Sequence, residues 1–174
     1  MEYMFMPLKR YAEFSGRSRR MEYWMWTLFQ VLLYAAVMVL MMVLVGGAAM
    51  SGDPGGLMAA GGGAMIIMGL YFLAQLVFFI PSIAVSVRRL HDTNRSGWWL
   101  LAPVVPYILV FVAVGAAASS PENMGSAGVV GLVGMLAVFV LAITLLVFMF
   151  LDGTKGPNKY GPDPKGRVDA EIFA

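Results

Sequence analysis

The sequence predicts an all-α integral membrane protein with four transmembrane helices, both termini in the cytoplasm and a short interfacial amino-terminal helix. Three observations predict it. The 174 residues are 60% apolar and only 13% charged, with a mean hydropathy of +0.77; soluble domains carry about 25% charged and roughly 45–50% apolar residues. The charges also fall in blocks. Between them lie the charge-free stretches Tyr23–Gly52, Pro54–Val87, Ser96–Pro121 and Asn123–Leu151, of 30, 34, 26 and 29 residues, each longer than the ~20 that span a bilayer. Finally, all twelve cationic residues sort to alternate connections. This composition excludes a soluble enzyme, a disordered chain and a nucleic-acid-binding module, so no nucleic-acid partner is expected.

The elements follow in order. Residues 1–22 form a cytoplasmic or interfacial segment, 23–151 the four-helix membrane domain and 152–174 a cytoplasmic Gly/Pro-rich tail. Phe5–Phe14 is expected along the membrane surface, with Phe5, Leu8, Tyr11 and Phe14 as apolar contacts. The spans are placed at Tyr23–Val45, Ala64–Val87, Trp98–Ala118 and Ala127–Leu151. They are read as helices because a backbone in lipid must satisfy its own hydrogen bonds. The connections are Gly46–Gly63, which holds Asp53-Pro54; the cationic Arg88–Gly97; and Ser119–Ser126, which holds Pro121 and Glu122. Pro103 and Pro106 weaken the third span, and a re-entrant hairpin there is the alternative. A cleaved signal peptide is not expected, since the apolar run after the polar segment exceeds the ~7–15 residues of a signal core.

Orientation follows from the cations. The amino-terminal segment holds Lys9, Arg10, Arg17, Arg19 and Arg20, the middle connection Arg88, Arg89 and Arg95, and the tail Lys155, Lys159, Lys165 and Arg167. The other two connections hold none, so four spans with both ends cytoplasmic satisfy the whole partition.

Three polar motifs then fall at one membrane face. They are Phe14-Ser15-Gly16-Arg17-Ser18-Arg19-Arg20-Met21-Glu22-Tyr23-Trp24, Val87-Arg88-Arg89-Leu90-His91-Asp92-Thr93-Asn94-Arg95-Ser96-Gly97-Trp98-Trp99, and Gly153-Thr154-Lys155-Gly156-Pro157-Asn158-Lys159-Tyr160-Gly161-Pro162-Asp163-Pro164. In this order, from about Tyr11 to Pro164, the set resembles the family called domain of unknown function 805. The resemblance implies a small integral protein of bacterial inner membranes and implies no activity. Thr93-Asn94 departs from the family pattern, which has a more apolar residue and often Gly there, and this bears on the turn type.

The residues of the middle loop also speak for themselves. Asp92, Thr93, Asn94, Ser96 and Gly97 are turn formers, which predicts a tight helix–turn–helix with Asp92 accepting turn amides or pairing with Arg88, Arg89 or Arg95. Trp98-Trp99, Tyr23-Trp24 and Trp26 read as an aromatic belt. The sharper reading gathers Arg17, Arg20, Arg88, Arg89, Arg95, Lys155 and Lys159 into a cationic pocket with His91 and Asp92 at its rim. Arg forks suit phosphate oxygens, so an anionic lipid headgroup or phosphorylated ligand is the candidate occupant. The bland alternative weighs more: the arginines reach lipid phosphates, Asp92 closes the turn and nothing specific binds. The tail is too rich in Gly and Pro for a helix. It is expected to pack back over the middle loop, with Asp152 or Asp163 pairing to its arginines and Tyr160 giving apolar contact. It is not a phosphate-binding loop, because Pro157 follows Gly156 where Lys and Ser/Thr are needed and no strand precedes it.

The spans hold no Asp, Glu, Lys, Arg or His, which argues against an ion-coupled transporter. Gln30, Gln75, Ser82, Ser86 and Thr144 read as interhelical glue. Gly128, Gly131, Gly134 and Ala137, three apart, predict a helix-packing surface, inside the protein or between subunits of a homo-oligomer. Met38, Met41, Met42, Met65 and Met68 are soft enough for Cu(I) but serve equally as apolar filler. The chain has no cysteine and one histidine, so no metal and no cofactor are expected. Adjacent His91 and Asp92 do not build a Ser–His–Asp relay. The sequence therefore reads as a non-catalytic scaffold or interaction protein with a cationic face for anionic lipid or ligand, and the alternative is an oligomeric small-solute channel or transporter.

Overall fold

The computed structural model describes residues 2–119 and 124–166. Among these, the elements are α1 (Glu2–Lys9), α2 (Arg20–Ser51), α3 (Pro54–Asp92), a 3-10 turn (Gly97–Leu101), α4 (Val104–Ser119) and α5 (Met124–Phe150). Four of the described segments are long and apolar enough to cross a membrane: Arg20–Ser51, Pro54–Asp92, Gly97–Ala117 and Gly128–Phe150. Pro121, Glu122 and Arg167 lie outside the described residues.

The helices exceed the expected spans. The connection placed at Gly46–Gly63 shrinks to a two-residue break, with Gly52 at φ +69 and Asp53 as the cap of α3. Asp53 Oδ1 accepts the Gly55 N–H at 3.1 Å and Oδ2 the Gly56 N–H at 2.8 Å, and Pro54 takes the first helical position, where no N–H is needed. Glycine costs a helix about 1 kcal/mol per residue in water. That penalty weakens a helix without ending it, and the glycine-rich stretches stay helical, Gly46-Gly47 within α2 and Gly61-Gly62-Gly63 within α3. At ~1.5 Å per residue, the 32 residues of α2 and 39 of α3 run about 48 and 58 Å, well past a ~30 Å hydrocarbon core.

The expected third span is likewise redrawn. It starts as the 3-10 turn, with Ser96 capping Trp98 N–H, and breaks at Ala102-Pro103 before α4 begins. The Pro103 carbonyl accepts the Tyr107 N–H at 3.3 Å. Pro106 falls in the first turn of α4, where its missing N–H has no intrahelical partner to lose. The amino-terminal helix is shorter than Phe5–Phe14 and ends at Lys9, so Tyr11 and Phe14 follow it.

The chain forms two compact units, one made of the residues up to Glu13 with Met21–Val85, the other of Phe14–Arg20 with the chain from Ser86 onward. In the first, α2 and α3 share a seam. Trp26 Nε1 donates to Ser82 Oγ at 2.9 Å, Gln30 Nε2 donates to the same oxygen at 3.3 Å, and Gln75 Nε2 donates to Gln30 Oε1 at 3.4 Å. The expected glue is thus made by Gln30, Gln75 and Ser82, whereas Thr144 Oγ1 donates only to Val140 O of its own helix. Phe5, Trp26, Phe29 and Phe78 pack ring to ring at 5.4–5.7 Å. Pro81, in mid-α3, has no N–H for the carbonyl of Val77. Tyr11 repairs that gap, its hydroxyl donating to Val77 O at 2.6 Å.

In the second unit α4 packs on α5. Gly134 is the point of closest approach, since a Cβ there would run into the Val110 side chain and lie 3.7 Å from Pro106 O. Among the described residues a Cβ at Gly128 or Gly131 meets nothing within 4 Å, so of this row Gly134 is the one seen packed closely on α4. Beside it runs an apolar groove of about 390 Å³ lined by Leu109, Val129 and Val133 among others.

Candidate functional site

The site is a cap in the second unit, built on the end of α3. Arg and Leu are good helix formers and cations suit a helix carboxyl end, so Arg88-Arg89-Leu90-His91-Asp92 continues the helix past the apolar stretch. The middle connection is therefore helical through Asp92 and turns only at Thr93. The Arg95 N–H reaches Leu90 O at 2.9 Å and the Asn94 N–H reaches His91 O at 3.0 Å. This is the Schellman closure, with Asn94 in the left-handed region at φ 59. Glycine pays no Cβ penalty at such a position and asparagine little, which accounts for the departure noted at Thr93-Asn94.

Asp92 lies between two arginines. Arg17 Nε donates to Asp92 Oδ1 at 2.9 Å and Arg89 Nη1 donates to Oδ2 at 2.5 Å. The side chains are 1%, 0% and 2% exposed for Arg17, Arg89 and Asp92, so the charges are desolvated together. The remaining guanidinium groups end on carbonyls. Arg17 donates to Thr154 O at 2.5 Å and Gly156 O at 2.7 Å. Arg89 donates to Met149 O at 3.3 Å and to Leu151 O, satisfying the open end of α5. Arg88 is fully buried beside them.

The tail closes over this triad. The Thr154 N–H donates to Asp92 O at 2.9 Å, Asn158 Nδ2 to His91 O at 2.9 Å, and the Ser18 N–H to Arg88 O at 3.1 Å. The open carbonyls of α3 are thus filled from both flanking motifs. Asn158 and Gly161 exchange backbone bonds of 3.0 Å, and Asn158 Oδ1 accepts the Tyr160 N–H at 2.9 Å. The tight turn presents Tyr160 flat on His91, 3.8 Å between rings and 6° from parallel. Gly153 lies against Asp92 so closely that a Cβ would overlap the carboxylate. Asp163 Oδ1 is 3.9 Å from Arg17 Nη2, and Arg19 donates to Pro164 O. His91 lies beyond the apolar stretch that ends at Val87. Its Nδ1 is 3.2 Å from Gly16 O. Burial lowers its pKa below the usual histidine value; the Gly16 carbonyl opposes this and Lys159 adds to it.

The sequence-predicted residues divide into two groups. Arg17, Arg88, Arg89 and Asp92 are interior, with His91 half-buried. Arg20 is 42% exposed, pairs with Asp152 at 2.9 Å and donates to Phe150 O at 3.1 Å. Arg95 covers the Phe148 ring at 3.9 Å. Lys155 and Lys159 are exposed, and Lys159 stands 4.9 Å over Tyr160. The tail does pack on the middle loop, with Tyr160 supplying the apolar face, but Asp152 and Asp163 pair with Arg20 and Arg17 of the amino-terminal motif rather than with the expected arginines of the middle loop. Two things were missed. Arg17 is a main partner of Asp92, and Asn158 and Thr154 cap α3. The available signal was the Gly pattern of the tail: Gly156 and Gly161 have φ of 68 and 137, which marks a fixed path rather than a loose linker.

Chemically the cap is a closed ion-paired joint. Asp92 faces guanidiniums and His91 faces Tyr160 and Gly16, so the two form no relay. No group of three or more His, Cys, Asp and Glu able to hold a metal ion occurs among the described residues.

Fold and site define a class: a small multi-span α-helical membrane protein whose juxtamembrane motifs close into a buried Arg–Asp–Arg cap. The chain belongs to the family described as protein of unknown function (DUF805), whose model matches residues 11–162, and so to small proteins of bacterial inner membranes. It is 34% identical over 165 residues to inner membrane protein YhaI of Escherichia coli K12, covering 95% of this chain and 97% of the relative. Inner membrane protein YhaH of the same organism is 31% identical over 165 residues, covering 95% and 98%. The uncharacterized protein YiiR is 35% identical over 89 residues, covering 48% and 52%. No solved structure matches the chain.

Proposed function

We propose that the protein is a non-catalytic scaffold of the inner membrane, with both termini in the cytoplasm and a cationic cytoplasmic face that holds anionic lipid headgroups. One observation carries the reading. The three segments of the cap, residues 14–20, 86–99 and 151–166, hold nine Lys and Arg against three carboxylates. Arg17 and Arg89 are occupied within the cap by Asp92 and carbonyls, and with Arg88, His91 and Asp92 they fix its shape. Arg20, Arg95, Lys155 and Lys159 then form the outer face, where each cation near an anionic leaflet gains about 1 kcal/mol. The amino-terminal helix lies along the membrane surface in this reading, with Phe5, 43% exposed, as its apolar contact; Tyr11, beyond the helix, is held instead at Val77 O.

The test is the lipid that stays with the protein through purification. Phosphatidylglycerol or cardiolipin is expected above its share of the membrane, and Arg20→Gln with Lys155→Gln and Lys159→Gln is expected to lower retention several-fold. Retention unchanged by the triple substitution overturns the reading. The hydrogen bonds of Gln30, Gln75 and Ser82 to one another support a seam rather than a conduit, and reproducible solute flux through proteoliposomes would favour the channel instead.

A further inference from the structure

The seam between α2 and α3 runs as a directed chain. Gln75 donates to Gln30, Gln30 donates to Ser82, and Ser82 donates to Phe78 O at 2.7 Å. Its far end is open. The Gln75 amide oxygen and the hydroxyls of Tyr34 and Tyr71 make no hydrogen bond among the described residues; the two tyrosines only face each other, ring centroids 6.4 Å apart. Tyr34 is 52% exposed. It is the central residue of the apolar stretch Tyr23–Val45, and Gln75 sits at the middle of Ala64–Val87, so these open polar atoms fall near the centre of the bilayer.

Lipid is a poor occupant for this face. Acyl chains offer no hydrogen-bond partner, polar atoms left open in hydrocarbon are costly, and membrane tyrosines gather at the headgroup boundaries rather than the midplane. The face carries two hydroxyl donors beside an amide acceptor, so it is complementary to itself. A twofold axis brings the same patch of two copies together, each donor opposite the other's acceptor.

We propose that a second copy of this chain docks on the α2–α3 face that carries Tyr34, Tyr71 and Gln75. The interface is isologous: the tyrosine hydroxyls of each copy donate to the Gln75 amide oxygen of the other at mid-membrane depth. It is distinct from the small-residue row on α5 and independent of the lipid-binding reading of the cap.

The chain has no cysteine, so single cysteines report on it cleanly. Met38 lies one helical turn beyond Tyr34 on the same face, and Leu40 lies about 200° round the helix at nearly the same depth; each is 49% exposed. Native membranes holding full-length Met38→Cys are oxidised with copper phenanthroline. A disulfide-linked dimer is expected, at least several-fold above the yield from Leu40→Cys. Adding Tyr34→Phe and Tyr71→Phe keeps the rings and removes the donors, and is expected to weaken association on the order of tenfold. The unsubstituted chain is expected to sediment as a dimer in mild detergent, a readout that needs no variant. A monomer there, no dimer from Met38→Cys, equal yields at the two positions, or a dimer indifferent to the phenylalanine pair overturns the proposal. Labelling of Met38→Cys by water-soluble thiol reagents without dimer formation would assign the face to water instead, and also overturns it.

Discussion

Asp92→Asn is the perturbation that the cap should tolerate least. It keeps the shape of the side chain and removes its charge. Arg17 and Arg89, 1% and 0% exposed, then confront each other with no anion between them. Removing one partner of a buried ion pair typically costs about 3–5 kcal/mol, and the surviving amide cannot accept from both guanidiniums as the carboxylate does. Arg17→Met should cost less, roughly 1–3 kcal/mol. It leaves the Arg89–Asp92 pair of 2.5 Å intact, so Asp92 keeps one guanidinium while its Oδ1 and the Thr154 and Gly156 carbonyls each lose a donor. The double variant should fall short of the sum by about 1 kcal/mol or more, because both changes remove the same contact. Thermal unfolding in detergent reads the total, with a loss on the order of 10 °C expected for Asp92→Asn. Protease cleavage within residues 153–164 reads release of the tail. An Asp92→Asn protein as stable as the parent within about 0.5 kcal/mol, or strict additivity of the pair, would refute the claim that the triad holds the cap closed.

The remaining predictions are narrower. Tyr11→Phe should destabilise the first unit by about 0.6–1.7 kcal/mol because Val77 O loses its donor. In a Pro81→Ala background, where the new N–H serves that carbonyl, the loss should largely vanish in a denaturation double-mutant cycle. At Asn94, glycine should be neutral or mildly stabilising, whereas valine, forced to φ near 59, should cost about 1–2 kcal/mol in the same melts. Acid should loosen the tail through His91. Its pKa is lowered in the closed cap, so the open form binds more protons as pH falls below about 6.5. Closure is complete above that value and weakens below it. Tail proteolysis should therefore accelerate from pH 7.5 to 5.5, and His91→Gln should flatten the change; a slower rate in acid contradicts the assignment.

What could be read from sequence was whatever depends on bulk hydrophobicity and on residue type at fixed spacing. The four apolar segments, the break at Pro103 and the Gln30–Gln75–Ser82 glue all follow from that. The helix ends do not, because glycine marks a turn only where the backbone takes a positive φ, as at Gly52. Gly46-Gly47 and Gly61-Gly62-Gly63 read as linker, yet they lie within α2 and α3, because glycine weakens a helix by about 1 kcal/mol per residue without ending it. The cap was legible as three motifs but not as a set of pairings. Asp92 has three arginines within four residues on its own loop, and proximity in sequence hid Arg17, which is 75 residues away. The tail's role as a donor and acceptor of backbone bonds was hidden too, since carbonyls such as those of Thr154 and Gly156 carry no side-chain signature.

The account rests on the cap lying at the cytoplasmic face. With no native cysteine in the chain, Ser15→Cys, Ser51→Cys and Lys155→Cys, all at exposed positions, can each be treated with a membrane-impermeant maleimide in intact spheroplasts and again after permeabilisation. Ser51→Cys should react from outside, and Ser15→Cys and Lys155→Cys only once the membrane is opened. Labelling of either cap position from outside, or protection of Ser51→Cys there, would contradict it.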